Sequence, residues 1–85
     1  MQGQGRQFTT TGPVAFSVEL NVQTNVYVMD PPNWSNLNAG RSFQAVDSGH
    51  ALQSPIVVRA PHAGTWWVVV EATGADIRYK ITPLS

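Results

Sequence analysis

Cysteine is absent from this 85-residue chain. No disulfide can staple the fold, and no thiolate can hold a metal. Charge is scarce as well. Asp, Glu, Lys and Arg make up 12% of the residues, about half of the roughly 25% usual in soluble domains, and they sum to zero. Without a basic field to displace phosphate counterions, nucleic acid is excluded as a partner. No apolar run approaches the roughly 18–20 residues that cross a bilayer, so no membrane span is expected. The opening Met1-Gln2-Gly3-Gln4-Gly5-Arg6-Gln7 has no apolar stretch of the kind a secretory leader needs. The expected location is the cytoplasm.

What is present is an apolar fraction of 42%, which must supply the core by itself. The length suits one domain, with a stability of about 4–13 kcal/mol at the usual per-residue value. Residues 1–7 are expected to form a flexible tail and residues 8–85 a single β-sandwich domain.

Period two dominates the pattern. Val14, Phe16, Val18, Leu20 and Val22 alternate with small or polar residues, the signature of a half-buried strand. Val26–Met29 reads as a second strand, stopped by Asp30-Pro31-Pro32 because proline cannot donate to a ladder. Residues 30–42 read as a long loop with at most a turn of helix at Trp34–Leu37. Phe43–Val46 is a weak strand followed by an Asp47-Ser48-Gly49 turn. Ile56–Ala60, Thr65–Ala72 and Ile77–Thr82 complete six strands, with a seventh at Phe8–Thr11. Short turns between consecutive strands imply antiparallel hairpins. The expected fold is all-β, an antiparallel sandwich or flattened small barrel.

One segment breaks the alternation. In the expected hairpin from Ile56 to Ala72, Trp66, Val68 and Val70 point one way while Trp67 and Val69 point the other. One apolar face must be the core. The second must be covered by the 30–42 loop, by a protein partner or second copy, or by a ligand, because each exposed large side chain forfeits about 1.5–3 kcal/mol of burial.

Catalytic patterns are missing. His50 and His62 are the two imidazoles, both expected as solvated turn residues, and no G-x-S-x-G elbow surrounds a serine. No ligand spacing for zinc or calcium occurs. Glu19, Asp30, Asp47, Glu71 and Asp76 form no evident acid–base pair. The chain is therefore read as a non-enzyme without a cofactor. The residues singled out for binding are Asp30, Asn33, Trp34, Asn36 and Arg41 in the loop, with Ser35 among them, and Trp67 and Val69 on the second apolar face.

Asn25-Val26-Tyr27-Val28-Met29-Asp30, Asn33-Trp34-Ser35-Asn36, Gly40-Arg41, Ser54-Pro55-Ile56 and Pro61-His62-Ala63-Gly64-Thr65-Trp66-Trp67 together resemble a small bacterial family, domain of unknown function 1883. The likeness spans roughly residues 12–82. It departs at Gln7-Phe8-Thr9 and at Asp47-Ser48. Members occur alone or fused to TIR domains, which can cleave NAD. The resemblance implies a sensor, adaptor or oligomerisation module, and no NAD chemistry is expected of this chain. The leading expectation is a non-catalytic module that self-associates or docks a protein partner. The alternative is a small-ligand or carbohydrate-binding domain using the 30–42 loop.

Overall fold

The two faces of each strand decide which sheet it joins. The computed structural model describes residues 3–21, 23–50, 55–71 and 77–84. Among them are seven strands and one helix: β1 (Gly3–Thr10), β2 (Val14–Leu20), β3 (Asn25–Met29), α1 (Pro31–Asn38), β4 (Asp47–His50), β5 (Ile56–Ala60), β6 (Gly64–Glu71) and β7 (Tyr79–Pro83). The strands form two antiparallel sheets, ordered β1-β6-β3-β4 and β5-β2-β7. The fold is an all-β sandwich, as the alternation implied. No helix among the described residues is long and apolar enough to cross a membrane.

The inner faces meet in one core. Phe16, Val18, Val58, Ala60 and Ile81 from the three-stranded sheet pack against Val26, Val28, Trp66, Val68 and Val70 from the four-stranded sheet. These residues alternate in sequence with exposed or half-buried ones in β2, β5 and β7. Phe8 joins the edge of this core, its ring 4.8 Å from that of Phe16. Every buried side-chain nitrogen and oxygen among the described residues has a hydrogen-bond partner. The polar groups inside therefore carry no desolvation debt.

β5 and β6 do not make the expected hairpin. β5 pairs with β2, whereas β6 pairs with β1 and β3, so residues 61–63 form an arch from one sheet to the other. The segments between β1 and β2 and between β2 and β3 cross likewise. The reason lies in the outer faces. β5 turns Val57 and Arg59 outward, which suits a wet sheet. β6 turns Trp67 and Val69 outward, which suits a covered one. A side-by-side β5–β6 pair would have placed a guanidinium on the face that must stay dry.

Three further expectations are corrected. Residues 3–7 are not a tail. They are the first part of β1, held in register by Gly3↔Glu71 through Gln7↔Trp67. The backbone ladder, which needs no apolar side chain, orders them, and the expected strand at Phe8–Thr11 is only the end of this longer one. Phe43–Val46 is not a strand. Phe43 packs instead against Tyr27 at 5.5 Å, the chain stays irregular through residue 45, and the ladder to β3 begins only with Val46 N–H donating to Val28 O at 2.8 Å. His50 consequently lies in β4 opposite Asn25, not in a turn. Val22, Ala72 and Asp76 lie outside the described residues.

The third correction is the helix. The two prolines that end β3 also begin α1, because Pro31 and Pro32 fill its first two positions, where a missing N–H costs nothing and φ is already helical. Asp30 is the N-cap: its Oδ1 accepts from the Asn33 N–H at 3.1 Å and from Asn33 Nδ2 at 2.7 Å. The far end closes in a Schellman motif. Gly40 N–H donates to Leu37 O at 3.2 Å and Arg41 N–H to Asn36 O at 2.8 Å, with Gly40 at φ +74°. Both end devices use residue types that are equally common in loops. Gly40→Ala is expected to cost about 1–2 kcal/mol through left-handed strain, and Asp30→Ala about 1 kcal/mol through the lost cap. Urea denaturation followed by tryptophan fluorescence measures both.

Candidate functional site

Two surfaces merit description: the helix-covered face of the four-stranded sheet, and the seam at its β1 edge.

On the covered face, strand registry lines up three rows. Gln7, Trp67 and Met29 form one, Gly5, Val69, Tyr27 and Ser48 the next, and Gly3, Glu71, Asn25 and His50 the last. α1 lies over the first two. Met29, Leu37 and Val69 are buried there, with Tyr27, Trp34, Phe43 and Trp67 packed around them. Trp34 stacks on Trp67 with ring centroids 4.4 Å apart and planes 10° from parallel. The chain's own 30–42 segment therefore covers the second apolar face. Gly5 makes room for this lid: a Cβ there would sit 3.1 Å from Trp34 Cζ3 and 3.2 Å from Val69 Cγ2.

The structure brings Trp34, Trp67 and Val69 together, as members of this packed layer. The polar residues expected to bind a ligand are spread along the helix and engaged locally. Asp30 and Asn33 cap its start, and Asn33 Oδ1 also accepts from the Gln44 N–H at 2.8 Å, pinning the returning chain. At the other end Arg41 Nε donates to Asn36 Oδ1 at 3.1 Å. Asn33 and Asn36 stand three residues apart, about 4.5 Å of helix rise, and each is bonded to its own partner, Gln44 for one and Arg41 for the other. Ser35 is exposed on the helix and its carbonyl accepts from the Ala39 N–H.

The third row holds a polar chain that sequence reasoning missed. Asn25 Nδ2 donates to Glu71 Oε2 at 2.7 Å, and Asn25 Oδ1 lies 2.8 Å from His50 Nδ1. A carboxylate only accepts, so Glu71 fixes which way the Asn25 amide points. Its oxygen then requires a proton on His50 Nδ1, which leaves Nε2 as the outward nitrogen of the exposed ring. Tyr27 lies beside this chain. Burial first, and the Glu71 carboxylate second, raise its phenol above the ordinary value, with a smaller opposing effect from Asn25. The chain orients an imidazole, but among the described residues no group of three His, Asp or Glu side chains could hold a metal ion. His62 lies in the 61–63 arch, where its ring meets Trp66 edge-on and its carbonyl accepts from Trp66 Nε1 at 3.0 Å.

The second surface is the β1 edge. Among the described residues β1 has β6 on one side and no strand on the other. Every second residue of such a strand directs its N–H and C=O outward. Beside this edge a cavity of about 200 Å³ opens between the sheets, lined by Phe8, Thr10, Val14, Phe16 and Pro83 along with Thr9 and Thr11. Arg6 faces the same way as Phe8, with its guanidinium carbon 5.3 Å from the centre of the Phe8 ring. The sequence did carry a signal for this strand, since Gln4, Arg6, Phe8 and Thr10 share one face at period two. It was obscured by the two glycines, which read as tail.

The lid makes two measurable claims. Trp34→Ala is expected to cost about 2–3 kcal/mol, below the 3–5 kcal/mol of a fully buried ring, and to red-shift the emission of the uncovered Trp67. Gly5→Val is expected to displace the same ring and give the same red shift. For Tyr27, the folded protein favours the neutral phenol. Its contribution to stability is thus fully present below pH about 10 and is lost as pH rises through the raised value. Alkaline unfolding is expected to be shallower in Tyr27→Phe, read by circular dichroism across that range. No protein-family model, no curated protein and no solved structure matches this chain to significance.

Proposed function

We propose that this chain is a non-catalytic interaction module, acting in the cytoplasm, that docks a protein partner along the exposed edge of β1. The observation that carries the reading is the edge itself: eight residues from Gly3 to Thr10, paired on one side only among the described residues. Long free edges are templates for another strand, and proteins that do not use them usually shorten, bulge or cover them. The other edges are less open. β4 has four residues and β5 lies against it, with the Arg59 N–H donating to Asp47 Oδ2 at 2.7 Å, and β7 ends at Pro83.

The resemblance to the domain of unknown function 1883 family accords with an adaptor or sensor role. A small-ligand site in the 30–42 segment has less support, since Asp30, Asn33, Asn36 and Arg41 are engaged in holding the helix.

The test is hydrogen exchange on the full chain, alone and with a randomised library of extended peptides. Outward amides of β1 are expected to exchange fast in the free protein and to gain protection with the enriched peptides. If no peptide is enriched and β1 protection never changes, the reading fails. Turnover of ester, glycoside or phosphoester substrates that His50→Ala abolishes would also defeat it.

A further inference from the structure

Resting on that reading, we infer that the partner is an extended segment carrying an apolar residue and an acidic residue two positions apart, the first entering the seam cavity and the second meeting Arg6.

The argument begins with period two. A strand added beside β1 places alternate side chains on the same face as Arg6 and Phe8. Side chains opposite those two residues are about 7 Å apart along the strand. The one near Phe8 sits at the mouth of the cavity formed with Thr10, Val14, Phe16 and Pro83. At about 200 Å³ this space is smaller than the roughly 300–1,000 Å³ of small-molecule pockets. It has room for one aliphatic side chain. The side chain near Arg6 meets an exposed guanidinium whose carbon lies 5.3 Å from the centre of the Phe8 ring. Anchor and charge thus lie in a fixed order on one face.

Charge also decides against a second copy of this chain. β1 carries no acidic residue, so pairing it with itself would bring two Arg6 side chains to one ladder with no anion between them. β5 and β7 present Arg59 and Lys80 on their outer faces. β4 offers Asp47, but its carboxylate is engaged with the Arg59 N–H and again with the Ser48 N–H at 2.9 Å. Of the four edge strands only β4 carries an acidic residue, and that carboxylate is already engaged. A different chain must supply the complementary anion.

The experiment uses the full chain and fluorescein-labelled peptides of the form Thr-Val-Thr-Leu-Thr-Glu-Thr-Thr, read by anisotropy at low salt. Replacing the peptide leucine with serine is expected to weaken binding about 10- to 100-fold, the burial of one aliphatic side chain. Replacing its glutamate with glutamine, or Arg6 with glutamine, is expected to weaken binding about two- to fivefold, with the difference fading at high salt. Arg6→Glu is expected to prefer a peptide with lysine in place of its glutamate over the glutamate peptide. Arg6 is exposed, so these variants keep their fold, which tryptophan emission verifies. If glutamate, glutamine and lysine peptides bind alike while β1 amides still gain protection, this inference is overturned and the edge-docking reading stands. If none of the peptides binds and β1 protection is unchanged, both fall. Concentration-dependent dimerisation through β1 in light scattering would overturn the choice of a foreign partner.

Discussion

β6 is apolar on both faces, and the rest of the molecule is arranged around that constraint. Val68 and Val70 enter the sandwich core with Trp66, while Val69 is equally buried on the opposite side. A strand of this kind needs a layer above and a layer below. The three-stranded sheet supplies one. The other is supplied by an eight-residue helix and the segment that returns from it. The stack of Trp34 on Trp67 is the contact that joins helix to sheet, and Gly5 keeps the neighbouring strand low enough for it to form.

That arrangement has a consequence for function. The residues with the most conspicuous chemistry in the sequence, the Asp-Pro-Pro-Asn-Trp-Ser-Asn run and Arg41, are the ones that make a short helix stable. Isolated helices of this length are marginal in water. Asp30 caps its start, Gly40 turns its end, and Asn33 and Asn36 tie down the chain beyond it. Polar groups committed to those bonds are poor recognition groups. Among the described residues the longest strand paired on one side only is β1, which carries almost no conspicuous residues at all.

Much of the fold was legible because alternation is local. Strands with one wet face, at 14–20 and 79–83, declare both their conformation and their orientation. The double-sided run at 64–71 announced that something must cover Trp67, though not what. The helix is hard to see in the sequence because proline ends a strand and starts a helix alike, and only its position after the Asp30 cap makes it a starter. β4 was displaced from 43–46 to 47–50 because Phe43 had a better place against Tyr27 than in a ladder.

The amino-acid sequence by itself determined the fold class, the faces of the strands and the need for a lid, since each follows from side-chain polarity at period two. Tertiary structure alone decided which strands are neighbours. Short turns serve hairpins and arches equally, and the choice between them rests on the polarity of outer faces belonging to strands far apart in the chain, Arg59 on β5 against Trp67 on β6. It also decided that β1 forms and that, among the described residues, it has a strand on one side only. Its side chains are too polar to demand burial, and only the open flank of β6 gives its backbone somewhere to bond.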